Sequence, residues 1–288
     1  MSPAVSPEDR LIRVGDLTFH VRVWSDEGHP IVLLHGLASS SHVWDLVAPL
    51  LAPRYRVVAI DQRGHGESDK PETGYDLPTF VADLRGIVGA LELQRPALVG
   101  HSWGGNLALQ YAVTYPADVS HLALVDGGII EMQLRDGMTW DVAEKQMAPP
   151  DISMPLPAFV ERMRNRLGAI YSDDVRDAIL GNVWVDQRGV VRARLTRERH
   201  MLIARALWEH RPSRLYEKVR CPTLVVAAEP PNSTADPDRL RWKRRAMALA
   251  EQRLPRSHIL WMRETIHDIP LHRPDDLASA LARLIQST

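Results

Sequence analysis

The chain is poor in cysteine, in net charge and in uninterrupted apolar stretches, and each shortage closes off a class of protein. Cys221 is the only cysteine among 288 residues, so an intramolecular disulfide or a thiolate metal cluster is excluded. A buried thiol at the start of a strand is its plainest reading. No apolar run approaches the ~18 residues that a membrane span requires. The segment Met1 to Arg10 is polar and proline-containing, without the apolar centre of a secretory leader. A cytoplasmic protein with no membrane contact is the resulting expectation. The formal net charge of −1 removes any electrostatic argument for a nucleic-acid partner. Arginine greatly outnumbers lysine, which by itself decides nothing about function. There is no P-loop, no G-x-G-x-x-G after a first strand and no H-E-x-x-H, so no cofactor and no metal is expected.

What is present is enough apolar material, 45% of residues, for one sizeable core or a core with an insertion. Short apolar runs predict strands near 11–15, 17–24, 30–35, 55–60, 96–101, 119–126, 222–228 and 257–262. Helical spacing predicts helices near 41–52, 77–92, 103–115, 236–252 and 275–286. Strand and helix alternate strictly only after His35, and the opening pair of strands reads as an antiparallel hairpin. The fold class is therefore α/β, with a mostly parallel eight-stranded sheet flanked by helices. Between Asp126 and Cys221 the pattern changes to helical stretches broken by Pro149-Pro150, Pro155, Pro157 and Gly181. That span is too long for a loop. It predicts a helical cap.

The motif richest in chemistry is Gly100-His101-Ser102-Trp103-Gly104, which fits G-x-S-x-G between the strand-like 96–99 and the helix-like 106–112. In such an elbow the glycines remove side chains where the backbone turns sharply, which leaves Ser102 Oγ exposed at a helix N-terminus. Two further blocks follow the same architecture in chain order. His35-Gly36-Leu37 ends the strand beginning at Ile31, and Asp61-Gln62-Arg63-Gly64-His65-Gly66-Glu67-Ser68 follows the strand 55–60. Near the C-terminus, Ile266-His267-Asp268-Ile269-Pro270 precedes a last helical segment.

Together these blocks resemble the α/β-hydrolase superfamily, in its serine hydrolase branch of esterase-like and lactonase-like enzymes with a helical cap. The resemblance runs from about Leu11 to Ile285, except that 129–219 carries no family motif. It implies an α/β-hydrolase core over 1–128 and 219–288, with a cap or lid inserted at 129–218. It also implies an oxyanion hole built from the backbone N–H groups of Leu37 and Trp103.

A neutral hydroxyl is a poor nucleophile, so Ser102 needs a histidine to accept its proton and a carboxylate to fix that imidazole. His267, in the loop after the last strand, is the expected base. His101 reads as a packing residue pointing away round the elbow, His35 as a brace for its own loop, and His65 as a solvated or structural residue in a glycine-flanked turn. Three carboxylates compete for the acid. The stretch Ala228-Glu229-Pro230-Pro231-Asn232 places a proline where the family often has its aspartate. Glu229 or Asp236 would need the loop to rearrange, and Asp236 also reads as a helix N-cap. Asp126, at the end of the strand 119–126, needs the shorter reach and is favoured; some lactonases and dehalogenases of the superfamily place their acid there.

In the cap, Met132, Trp140, Met154, Phe159, Met163, Trp184 and Trp208 form a collective expectation of an apolar pocket over Ser102, with Trp184, Trp208, Met132 and Met154 as its substrate-binding residues. The Trp103 ring would either narrow the acyl side or pack beneath the cap. Few charged side chains of the cap read as anchors aimed inward. The expected partner is a small-molecule substrate, a medium-sized, largely uncharged and apolar ester or lactone, cleaved by a cofactor-independent Ser-His-Asp hydrolase. A serine in the nucleophile slot argues against the epoxide hydrolases and haloalkane dehalogenases of this fold, which use an aspartate there. Amide or carbon–carbon bond hydrolysis, perhydrolysis, hydroxynitrile cleavage and a receptor with little turnover remain open on the same residues.

Overall fold

The computed structural model describes residues 6–231 and 236–287. Met1 to Val5 and Asn232, at the end of the 228–232 stretch, lie outside the described residues. Eight strands form one sheet: β1 (Glu8–Val14), β2 (Leu17–Val23), β3 (His29–Leu34), β4 (Tyr55–Ile60), β5 (Ala97–His101), β6 (His121–Val125), β9 (Thr223–Glu229) and β10 (Ser257–Arg263). Their order is β1-β2-β4-β3-β5-β6-β9-β10. The β1–β2 hairpin is antiparallel, β2 meets β4 antiparallel, and every pairing from β4 onward is parallel.

The central strands read as unbroken apolar runs because helices cover both faces of the sheet. The period of two sends Val32 and Leu34 to one face and Ile31 and Leu33 to the other. The first face packs on α2 (Leu77–Ala90) and α3 (Trp103–Thr114), the second on α1 (Ala48–Leu51) and α10 (Pro274–Gln286). Cys221 is buried just before β9, and burial pushes its thiol up to about 11, as suits an inert core residue.

The structure departs from the sequence pattern in two places. The single helix expected over 41–52 is a 3-10 turn at Ser41–Trp44 followed by the short α1. Pro49 lacks an N–H and crowds the preceding turn, so it can open a helix but cannot lie in the middle of one. The segment between β6 and β9 is also not purely helical. It holds α4 (Trp140–Met147), α5 (Leu156–Leu167), α6 (Asp173–Leu180) and α7 (Arg197–Glu209), with a hairpin of β7 (Val183–Val185) and β8 (Val191–Ala193) between them. Asp186 makes that hairpin turn, its carboxylate accepting from Arg188 N at 2.9 Å and Val190 N at 3.0 Å. Phe159, Met163, Val183 and Val191 form a small core of this segment's own. After β9 come α8 (Pro237–Arg253), then β10 and the short α9 (Ile269–His272).

The turn after β4 shows why its residue pattern is needed. Asp61 is buried and accepts from His20 Nδ1 at 2.7 Å, Ser41 N at 2.7 Å and Glu67 N at 2.9 Å. A Cβ at Gly66 would lie 1.9 Å from Asp61 Oδ2, so only glycine lets this loop close over the carboxylate. Burial alone would raise the Asp61 carboxyl, but the His20 hydrogen bond and further polar contacts hold it below the usual range. For His20 burial acts downward, and the hydrogen bond and charge of Asp61 outweigh it, so the imidazole is raised.

These two shifts fix the sign of a pH dependence. A depressed carboxyl contributes stability that is complete above about pH 4 and is lost as pH falls toward its folded value. A raised histidine contributes stability that is complete below about pH 6.5 and is lost as pH rises through its folded value. Urea unfolding should therefore give a maximum at about pH 5–6 with a decline on each side. Asp61→Asn should flatten both slopes. A native-like profile in that variant would contradict this network.

Candidate active site

Ser102 lies between β5 and α3 with φ 53° and ψ −121°, a backbone region that non-glycine residues rarely occupy. Close packing holds it there. A Cβ at Gly104 would sit 2.4 Å from the Leu34 carbonyl oxygen, and one at Gly127 would sit 2.1 Å from the Ser102 carbonyl oxygen. The start of α3 thus approaches the end of β3, and the loop after β6 approaches the elbow, more closely than any larger residue permits. Gly36 passes on the other side, where a Cβ would lie 3.1 Å from Ser102 Cβ. The Leu37 N–H follows in the same loop. Trp103 is the first residue of α3, so its N–H has no acceptor within the helix.

The β10–α9 loop brings His267 to the serine. Ser102 Oγ and His267 Nε2 are 3.0 Å apart, and His267 Nδ1 lies 2.6 Å from Asp126 Oδ2. Asp126 directly follows β6 with φ 43° and is 3% exposed, which is tolerable because both carboxylate oxygens accept hydrogen bonds. Ala228 N donates to it at 3.0 Å, and Lys243 Nζ from α8 donates to both oxygens, at 2.8 and 2.9 Å. Burial alone would raise the Asp126 carboxyl. The hydrogen bond and charge of His267, with those of Lys243, reverse that and hold it below the usual carboxylate range.

The other two carboxylates face different partners. Glu229 pairs with Arg244 at 2.8 Å and Arg263 at 3.8 Å. Asp236 caps α8 by accepting from Asp238 N at 3.0 Å and Arg239 N at 3.3 Å. Lys243 had no local signature. It sits in a strongly polar helix where nothing in the sequence marks which cation turns inward.

The neighbouring histidines are fixed structural parts. His35 Nδ1 donates to the Gly36 carbonyl at 2.7 Å and its Nε2 accepts from Gln62 N at 3.1 Å, so it braces its loop. His65 is not solvated: it is buried, bonded to the Arg63 carbonyl at 2.9 Å and packed edge-on to His35. His101 does not point away from the site. Its ring lies 4.9 Å from the His267 ring, and its Nε2 donates to the His267 carbonyl at 3.0 Å. Burial, and the proximity of His267, push it down to about 4, so it stays neutral.

A cavity of about 350 Å³ opens beside this cluster, walled by Leu37 and Ala38, by Phe159 and Met163 of α5, and by Asp268 and Leu271 beyond His267. None of the four residues expected to bind substrate lines it. Trp184 is 47% exposed on β7, facing solvent, and Met154 packs into the small core around Phe159. Trp208 packs against Trp140 with ring centres 6.0 Å apart, and Met132 is buried at the start of a 3-10 turn. The Trp103 ring is buried against Phe80, 5.5 Å between centres, so only its backbone reaches the site. The wall is also more charged than expected, because Arg162, Arg166 and Arg194 all line it. Among the described residues, no group of three His, Cys, Asp or Glu side chains is arranged to hold a metal ion, and no helix is long and apolar enough to cross a membrane.

With this geometry in hand, known proteins place the fold. Residues 29–167 match the family model described as the alpha/beta hydrolase fold. An uncharacterized protein of Mycobacterium tuberculosis is 40% identical over 101 residues, 35% of this chain and 30% of that protein. The soluble epoxide hydrolase of Corynebacterium sp. is 39% identical over 104 residues, 36% of each chain. The chain thus matches about a third of the length of these curated relatives. The crystal structure of E-2-(acetamidomethylene)succinate hydrolase superposes with a TM-score of 0.80 at 23% identity, covering 98% of this chain and 100% of that one.

Lys243→Met tests the buried charge pair. Breaking such a pair from one side leaves a carboxylate short of its countercharge and should cost about 3–5 kcal/mol of unfolding free energy near neutral pH. Because the variant's Asp126 would no longer be held as far down, the gap to the native protein should narrow as pH falls below about 4. Urea titrations at several pH values check both. An unchanged unfolding free energy would show that Lys243 Nζ is not held at Asp126.

Proposed function

The chain has the α/β-hydrolase fold, and on that premise we propose that it hydrolyses a carboxylic ester or lactone through an acyl-enzyme on Ser102. The observation that carries the proposal is the line of contacts from Ser102 Oγ through the two His267 nitrogens to Asp126, at 3.0 and 2.6 Å. His267 Nε2 takes the hydroxyl proton as Ser102 Oγ bonds to the substrate carbonyl carbon. Asp126 holds the Nδ1–H tautomer and stabilises the imidazolium that forms. The oxyanion of the tetrahedral intermediate accepts from the Leu37 and Trp103 N–H groups, each worth about 3–4 kcal/mol in the transition state. The imidazolium returns its proton to the leaving alkoxide. A water activated by the same His267 then releases the carboxylate and restores the hydroxyl.

The segment 129–218 is proposed as the cap that walls the substrate cavity, since α5 and the strands beside it supply one side of that cavity. A serine in the nucleophile position speaks against epoxide opening and carbon–halogen cleavage, which need a carboxylate that forms an ester with the substrate. A panel of p-nitrophenyl esters, lactones and anilides given to the purified protein separates ester from amide chemistry. A receptor would bind members of that panel without repeated turnover.

Ser102→Ala and His267→Ala should each lower kcat by several orders of magnitude with a native far-UV spectrum, the urea midpoint staying native in Ser102→Ala and falling in His267→Ala, which takes a donor from the buried Asp126. Asp126→Asn should cost about 10⁴ in kcat by favouring the wrong imidazole tautomer. That change also strips Lys243 of its countercharge, so the double variant Asp126→Asn/Lys243→Met is the cleaner measurement of the kinetic loss. Asp236→Asn should cost no more than about 1 kcal/mol of stability, as a weakened helix cap, with kcat retained. Near-native turnover in the Ser102, His267 or Asp126 variants would overturn the assignment.

A further inference from the structure

The cavity lined by Leu37 and by Asp268, the residue after His267, has an asymmetric charge that catalysis of an uncharged ester would not require. Arg162 and Arg166 lie four residues apart on α5, so both project from one helix face, and both line the cavity. Phe159 and Met163, from the same helix, line it between and below them. Arg194 lines it too, but its charge is answered within the protein: its Nη1 is 2.6 Å from Glu67 Oε1, and its Nε donates to the Val183 carbonyl. Among the described residues, neither Arg162 nor Arg166 forms an ion pair with a carboxylate, whereas Arg164, on another face of the same helix, lies 4.0 Å from Glu161. His200, also in the wall, is kept neutral by burial and donates Nε2–H to the Met147 carbonyl at 2.8 Å. The one acidic side chain in the lining is Asp268, which follows His267 directly.

The cavity thus has in its lining a negative group next in sequence to His267 and, from α5, two solvent-exposed guanidinium groups without carboxylate partners. From this arrangement we propose that Arg162 and Arg166 form a carboxylate subsite, and that the substrate is an ester whose acyl chain ends in a carboxylate. The inference rests on the ester-hydrolase reading above. A guanidinium fork bonds a carboxylate through paired N–H donors, and an aliphatic chain between the two ends of the substrate would lie on Phe159 and Met163. Asp268 repels a carboxylate from the His267 end, so the charged end is directed to α5 and the ester to Ser102. This replaces the largely apolar substrate expected from sequence. The apolar part is retained as the stem of the molecule.

The test compares two esters of one chain length, mono-p-nitrophenyl hexanedioate and p-nitrophenyl hexanoate, each corrected for spontaneous hydrolysis. The native protein should favour the hexanedioate by about tenfold in kcat/KM, the scale of one charge-assisted contact near solvent. That ratio should fall toward one in the double variant Arg162→Gln/Arg166→Gln, and in the native protein as ionic strength rises. Equilibrium dialysis of the same two esters against Ser102→Ala protein reads the subsite without chemistry. If neither ester is turned over yet Ser102→Ala binds the hexanedioate more tightly, through the two arginines, the ester-hydrolase reading fails and the subsite stands. Equal handling of the two esters in both assays, or a preference that survives the double variant, overturns the subsite.

Discussion

A carboxylate taken out of water at the end of β6 is the constraint on which the rest of this molecule depends. Asp126 is 3% exposed, and a bare charge at that depth would be driven to protonate or to unfold its surroundings. It remains an anion because three separate elements deliver donors to it: β9 through Ala228 N, α8 through Lys243 Nζ and the β10–α9 loop through His267 Nδ1. The same contacts that make the charge tolerable orient the imidazole toward Ser102. Stability and site geometry are therefore one interaction seen from two sides, and Lys243 belongs to both. Lys243 also bonds the Ala228 carbonyl at 2.9 Å, which ties α8 to the sheet at the level of the carboxylate.

The second constraint is steric. Ser102 sits in a costly backbone conformation, and the cost of order 1–3 kcal/mol is borne because β3, β5 and β6 hold both ends of the turn. Gly104 lets the start of α3 close on the Leu34 carbonyl at the end of β3, and Gly127 lets the loop after β6 close on the serine, both to distances that a methyl group would forbid. His101 fills the remaining space against His267 and anchors that loop by its carbonyl. The loop that carries the imidazole is therefore positioned at two points, one on the ring and one on the backbone.

Much of this was legible in the sequence, for identifiable reasons. The parallel strands are buried on both faces, so they stand out as unbroken apolar runs, and the elbow needs glycines at positions that no other residue can fill. Asp126 was favoured by reach as the carboxylate partner of His267, with Glu229 and Asp236 weighed beside it; in the structure it lies 2.6 Å from His267 Nδ1, and the other two are engaged with Arg244 and with the α8 amides. Lys243 was not legible, because a buried lysine in a helix rich in arginine has no local mark. That Trp184, Trp208, Met132 and Met154 do not line the cavity was not legible for a related reason. Size and hydrophobicity say that a tryptophan tends to be buried, but not which surface it faces, and Trp184 faces none. The hairpin of β7 and β8 is made by strands of three residues, too short for any periodicity to register.

The central claim is that the elbow serine forms a covalent bond with the acyl group of an ester. Intact-mass spectrometry of protein quenched in acid during turnover of a p-nitrophenyl ester tests it most directly. The account predicts a population heavier by one acyl group, with the added mass mapped by peptide fragmentation to Ser102 and absent from Ser102→Ala protein. Turnover with no adduct at any quench time, or an adduct on another residue, would contradict it.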